Sequence, residues 1–233
     1  MKTRFASTLL LATALTASIG TAFAQSAGQL NNAVGFQFRP PNDGIPGNTT
    51  GGASRNPDFC RIQQSPTQAG NLTLLAPEAF VGHTLAESPE LFIRADQTSV
   101  KQVFVSFQNL QGETLYQGFQ SLTENTGLTR IELPADMTQL ELDKAYRLSV
   151  VPVCQATLRP DDPVLTGYIR RVSLPQDAIP TETVSSLDMA SYYAASGIWY
   201  DTLALLQAEL SEEPADPSLQ SAWEAVLSSG RLP

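Results

Sequence analysis

The chain has 233 residues, of which 14 are basic and 23 acidic, giving a formal net charge of −9. That balance disfavours nucleic acid and anionic lipid surfaces as partners, because binding polyanions by counterion release needs clustered Lys and Arg.

The first residues carry the three parts of a secretory signal. Lys2 and Arg4 make a positive region, Leu9 to Ile19 an apolar stretch, and Ala22-Phe23-Ala24 offers small residues at the two positions a signal peptidase reads. Cleavage is expected between Ala24 and Gln25. An anchoring helix would need about 18 to 20 apolar residues, and this run is interrupted by Thr8, Thr13, Thr16, Ser18 and Gly20. No Cys opens the mature chain to indicate a lipid anchor, and the leader has no twin Arg. No later segment is apolar enough to span a membrane, so an exported, soluble protein of the periplasm or extracellular space is expected. The remaining length suits one medium domain or two small ones. In an oxidising compartment Cys60 and Cys154 read as one disulfide. It would close a long loop, with an entropic stabilisation of about 4 to 5 kcal/mol. A metal pair or a catalytic thiol are the alternatives, but a zinc site normally takes four ligands and the sole His is His83.

Residues 25 to 70 differ from the rest. Arg39-Pro40-Pro41-Asn42-Asp43-Gly44-Ile45-Pro46-Gly47, followed by the Gly- and Thr-rich Asn48 to Ser54, cannot form a helix and has little to bury. This stretch reads as an extended arm pinned at its far end by Cys60. It is not a phosphate loop, since no Gly-Lys-Ser/Thr follows. Residues 71 to 174 carry strand signals: Leu72 to Ala76, Leu91 to Ala95, Lys101 to Asn109, Glu113 to Phe119, Gly127 to Leu133, Ala145 to Val153 and Leu165 to Leu174. A hairpin is expected across Leu110 to Gly112. Short strands without intervening helices predict an antiparallel immunoglobulin-like β-sandwich. The spacing of Leu142, Tyr146, Leu148 and Val150 resembles the corner before the penultimate strand of such folds.

Residues 182 to 231 switch to helical period. Ser185-Ser186-Leu187-Asp188 is a capping box for a helix to about Ser196, which Gly197 stops. Trp199, Leu203, Leu206 and Leu210 mark one face of a second helix, ended by Pro214. Asp216-Pro217 then begins a third, which ends at Gly230. The spacing resembles a tetratricopeptide-like helical hairpin plus the first helix of a second unit. One and a half such units must bury their stripe on the sandwich or on a partner. The interval from Arg171 to Arg231 contains no Lys or Arg, so the helices present an acidic, solvated face.

Several pieces together resemble a cyanobacterial family catalogued as domain of unknown function 928. They are Pro40 to Gly47, Gly51 to Arg55, Cys60, Leu72 to Pro77, Val150 to Cys154, Gly167-Tyr168-Ile169-Arg170-Arg171-Val172 and Gly197-Ile198-Trp199-Tyr200-Asp201. The resemblance spans most of the mature chain. It implies an exported protein with no known chemistry and transfers no catalytic residue. One departure is Pro89-Glu90-Leu91-Phe92-Ile93, poorer in aromatics than the family pattern, which removes support for a binding role there.

No catalytic residue, metal site or cofactor is expected from the motifs. A Ser-His-Asp or Cys-His site would have to use His83, which reads as a surface loop residue, and no Gly-x-Ser-x-Gly elbow is present. A carboxylate pair has no local spacing rule. Glu87, Glu90, Asp161 and Asp162 are available, although Asp161-Asp162 before a Pro reads as a turn. Calcium at those two Asp lacks a patterned loop. Asn48-Thr49-Thr50 and Asn71-Leu72-Thr73 fit a glycosylation sequon, a reading that fails in a bacterium. The aromatic group Tyr192, Tyr193, Trp199, Tyr200 and Trp223 is the best lead. Spacing puts Trp199 with Leu203 in a core stripe and leaves Tyr192 and Tyr200 off it. Core packing is the plainer reading. The sharper one makes Tyr192, Tyr200, Trp199 and Trp223 a docking surface for another envelope protein. The expectation is therefore a non-catalytic interaction module of the cell envelope. The alternative is a carbohydrate-active hydrolase or glycan-binding sandwich using loop carboxylates or exposed aromatics.

Overall fold

A computed structural model describes residues 36–46, 68–69, 71–122, 126–134, 139–153, 157–160, 162–174 and 184–232. In chain order its elements are β1 (Gln68–Ala69), β2 (Leu72–Leu74), β3 (Gly82–Thr84), β4 (Leu91–Ala95), β5 (Gln102–Asn109), β6 (Thr114–Ser121), β7 (Gly127–Ile131), β8 (Ala145–Pro152) and β9 (Leu165–Arg171), followed by α1 (Ser186–Ala195), α2 (Trp199–Glu212) and α3 (Pro217–Ser229). The protein is mainly β, with three C-terminal helices among the described residues. One sheet has the order β1-β2-β4-β7 and the other β3-β9-β8-β5-β6.

Side-chain alternation decides which way each strand faces. In β5, Val103, Val105 and Phe107 point inward and are buried; Leu148 and Val150 of β8 stand opposite Phe107 and Val105 in register. Leu72, Leu74, Leu91, Ile93 and Ile131 of the other sheet belong to the same core cluster. Burying each such side chain contributes roughly 1.5 to 3 kcal/mol. The β5–β6 hairpin turns through Gly112 at φ +88°. Asn109 Oδ1 accepts from Gln111 N at 3.1 Å and Glu113 N at 2.9 Å, holding the turn. Ahead of β8, Tyr146 is buried and its hydroxyl accepts from Glu141 N at 3.1 Å, fixing the incoming chain to the strand.

The helices follow the cap signals closely. Ser185 caps α1, its Oγ accepting from Asp188 N at 3.1 Å. Gly197 turns the chain at φ +77°, a left-handed conformation that favours glycine. Asp216 caps α3, accepting from Ser218 N at 2.7 Å, with Pro217 at the first turn. α1 packs on α2 and α2 on α3. The stripe of α2 is spent on the β-domain: Trp199 makes edge contacts with Phe38 and Phe80, at centroid distances of 5.2 and 5.7 Å.

Three expectations are revised. The second sheet is mixed, not wholly antiparallel, because β3 pairs parallel with β9. β3 itself escaped prediction because Gly-His-Thr has no alternation, and its partner lies far along the chain. The arm does bury surface: Phe38 is 5% exposed, and Gly44 forms an antiparallel bridge with Phe80. The helical part has the three helices expected, seated on the β-domain. Ala24, Gln25, Cys60 and Cys154 lie outside the described residues, and so does most of the arm.

Gly230 ends α3 against the Trp199 ring, where an added methyl group would clash. Gly230→Ala is expected to destabilise the fold by about 1 to 3 kcal/mol. Gly44→Ala, which points into open space, should stay within about 0.5 kcal/mol of wild type. Trp199→Ala should cost about 3 to 5 kcal/mol. Urea denaturation of the three variants checks the order.

Candidate functional site

The structure divides the proposed aromatic surface. Trp199 and Tyr200 are buried, at 0% and 2% exposure, and cannot serve as a docking surface. Tyr200 was expected off the helical stripe. It is buried because β3 and β9 approach α2 on that side, where Gly82 leaves room for its ring. Trp199 Nε1 donates to Leu75 O at 3.0 Å and Tyr200 Oη to Tyr168 O at 3.1 Å. Burial pushes the Tyr200 phenol far up, so it remains a donor. Tyr192 is half-buried, with its ring 5.9 Å from that of Tyr193. Trp223 is half-buried on α3 against the core.

His83 is not a loop residue. It lies in β3, opposite Arg170 of β9, with a side chain 13% exposed. Asp43 of the arm comes down over this pair. Its Oδ2 lies 2.7 Å from His83 Nε2 and accepts from Arg170 Nη1 at 2.6 Å. The arm backbone is fixed beside it, Val81 N donating to Asp43 O at 3.2 Å. The chemistry of this cluster is that of a latch: one carboxylate binds two donors from two strands.

From that latch the outer face of the five-stranded sheet runs in cross-strand rows. Tyr146, Leu148 and Val150 point inward, so Arg147, Ser149 and Val151 point outward. The first row joins Tyr168, Arg147, Gln108 and Thr114. Arg147 Nη2 donates to Gln108 Oε1, and Gln108 Nε2 to Thr114 Oγ1. The second row joins Thr166, Ser149, Ser106 and Gln117, with Gln117 Nε2 donating to Ser106 Oγ at 3.1 Å. The third row is apolar: Val151, Phe104 and Phe119 in register, extended by Val164 just before β9. Phe119 is 56% exposed and Val164 44%. Neither stood out in the sequence, because a single apolar residue on the polar-facing side of a strand carries no periodic signal. The Nε atoms of Arg147 and Arg170 are buried without an acceptor among the described residues, each a cost of about 1 to 3 kcal/mol.

The loop carboxylates are dispersed. Glu87 pairs with Arg171 at 3.0 Å and Glu90 with Arg130 at 2.9 Å. Asp162 Oδ2 accepts from Arg159 N at 2.8 Å, the turn role expected of it; Asp161 lies outside the described residues. A groove of about 660 Å³ at the hairpin end of the sheet is lined by Glu113, Glu141 and Asp143 together with Leu110 and Arg170. Lys144 holds Glu141 there at 2.7 Å.

Two sheets around one core, with a helical segment seated beside β3, define a β-rich protein with a helical C-terminal part. The chain belongs to the family described as Domain of Unknown Function (DUF928), whose model matches residues 50–233. No curated protein matches it. Among solved structures it is similar to CopC from Methylosinus trichosporium OB3b, at 11% identity and TM-score 0.26, over 45% of this chain and 89% of that one. It is also similar to the fn3 domain of the human collagen alpha-1(XX) chain, at 14% identity and TM-score 0.27, over 49% and 87%. Scores this low inform neither fold nor function. Among the described residues no helix is long and apolar enough to cross a membrane.

Asp201, in the first turn of α2, accepts on Oδ2 from Thr84 Oγ1 at 2.7 Å and from Leu85 N at 3.1 Å. Burial raises its pKa above the ordinary 3.8, and these hydrogen bonds oppose the rise. The folded state therefore keeps this proton at pH values where the unfolded chain has lost it. Asp201 accordingly contributes a loss of stability as pH rises through that interval. Asp201→Asn retains an acceptor oxygen. Its stability relative to wild type is expected to improve as pH rises from about 4 through the folded-state value, and to be level below it. Urea denaturation across the acid range checks the slope.

Proposed function

We propose that this chain is an exported, non-catalytic docking module of the cell envelope, working in the periplasm or beyond. The leader pattern ending at Ala24 supports export. On this reading the source is cyanobacterial, Cys60 and Cys154 form a disulfide, and the helices are a tetratricopeptide-like pair with one added helix. The two sheets then make an immunoglobulin-like sandwich, supported by the Tyr146 hydroxyl bound to Glu141 N ahead of β8.

The observation that carries the docking role is the apolar row of Val164, Val151, Phe104 and Phe119 on a sheet face, exposed at its two ends, Val164 and Phe119, and half-buried between them. Water-exposed Phe and Val on one face stand at a cost that a partner relieves. The partner is a protein surface that sets apolar side chains on this row and a carboxylate over Arg147. Four residues along β8 separate Arg147 from Val151, about 13 Å. A sugar-stacking platform fits less well, because the Phe104 and Phe119 rings meet at 62° rather than lying coplanar.

A photo-crosslinking residue placed at Phe119 should give a discrete adduct in envelope extract, while one at Glu224 on the exposed side of α3 gives none. Phe119→Asp with Val164→Asp should abolish the adduct and leave the melting temperature within a few degrees. Equal labelling from both positions removes the docking surface. An intact Met1 terminus in native material removes export.

The carboxylate-lined groove favours a second reading, a carbohydrate-active hydrolase. Sugar release from envelope glycans, lost in Glu113→Gln and Asp143→Asn, would replace the docking reading.

A further inference from the structure

Between α1, the start of α2 and the segment leading into β4 lies a second, smaller cavity. Its volume is about 210 Å³, and its lining includes Pro89, Tyr193, Asp201, Ala204 and Leu205. We propose that it binds a small organic ammonium group, either a free amine or a lysine side chain.

The size comes first. Drug-sized ligands occupy roughly 300 to 1,000 Å³, so this cavity admits a side chain or a compact molecule. Charge comes next. Asp201 and Glu90 line the cavity, and none of its lining residues is Lys or Arg. Glu90 is already paired with Arg130. Among the described residues Asp201 makes no ion pair; Oδ2 accepts from Thr84 Oγ1 and Leu85 N, and the carboxylate also accepts from its own backbone amide, all neutral donors. A carboxylate removed from water and left without a cation is costly, and an incoming cation offsets that cost. An anionic ligand would meet the opposite situation.

The walls select the kind of cation. Tyr193 is partly buried beside Asp201, whose charge, after desolvation, helps push its phenol up. An aromatic wall attracts a cation through the ring face. Ala204, Leu205 and Pro89 offer apolar contact to an alkyl stem. A hydrated metal ion gains nothing from such walls and would find a single available carboxylate. A bare alkylammonium uses both the charge and the apolar lining.

The full chain would be titrated with n-propylammonium chloride, with n-propanol as neutral isostere and sodium chloride as salt control, while NMR follows the Tyr193 ring and the Leu85 amide. Saturable shifts at both sites are expected with propylammonium and with neither control. Asp201→Asn should weaken binding at least tenfold, and Ala204→Leu, which fills the cavity, should abolish it. If one variant fails to fold, the other decides. Nα-acetyl-lysine N-methylamide, which keeps its ε-ammonium, binding as tightly as propylammonium assigns the cavity to a lysine side chain; propylammonium binding alone assigns it to free amines. Absence of saturable shifts, equal binding of propanol, or unchanged affinity in a folded variant overturns the proposal.

Discussion

The fold depends on the burial of two adjacent residues, Trp199 and Tyr200, at the corner where α2 begins. Each is a large amphipathic ring, and each must lose water at its polar atom to enter the core. The loss is made good by a carbonyl from a different sheet. Trp199 reaches Leu75 O, just past β2, and Tyr200 reaches Tyr168 O in β9. One step along a helix thus ties both sheets to the C-terminal segment. Removing either acceptor geometry would leave a buried donor unsatisfied, at about 1 to 3 kcal/mol. The neighbouring residues extend the joint. Ile198 bridges to His83, Asp201 binds the end of β3, and Gly197 makes the turn that admits them all.

The same corner explains why so short a strand as β3 exists. Three residues cannot hold a ladder alone. Gly82, His83 and Thr84 are held by β9 on one side and by Ile198 on the other. The arm adds a third restraint. Arg39 N donates to Ala194 O, Phe38 stacks on Phe80 at 5.7 Å, and Asp43 joins His83 to Arg170. The arm is therefore part of the core's enclosure, and its Pro residues hold it extended.

Local chemistry made much of this legible. Ser185, Gly197, Asp216-Pro217 and Gly230 mark helix ends through their own backbone or side-chain geometry, so the helices fall within a residue or two of expectation. Long alternating strands such as β5 and β8 were equally plain. What could not be read depended on distant partners. The parallel pairing of β3 comes from a segment 87 positions later in sequence, as with Gly82 and Ile169. Tyr200 looked accessible because helical spacing describes a free helix, whereas Gly82 on a distant strand opens a recess for its ring. Phe38 sat in a Pro- and Gly-rich context that masks one aromatic anchor. The outer face was invisible for a different reason: Phe104, Val151 and Val164 become a row only once three strands are in register.

The motif pieces that gave the chain its family likeness have largely structural duties here. Leu75 accepts from Trp199, Arg170 meets Asp43, and Arg171 Nη1 donates to Leu140 O at 3.2 Å. Leu75, Arg170 and Arg171, so committed, have little freedom to bind anything else. Docking of a protein face must fall to surfaces the joints leave free, and the sheet edges are poor candidates. At one edge β3 is covered by Ile198. At the other, the Gln120 amide donates to Arg130 O at 2.7 Å and accepts from Glu132 N at 3.1 Å, tying β6 to β7. An added strand would have to displace these bonds, a protection common at sheet edges. The broad outer face keeps its backbone bonds internal and offers side chains alone. A partner bound there reads side chains in rows, with specificity set by the spacing from arginine to phenylalanine.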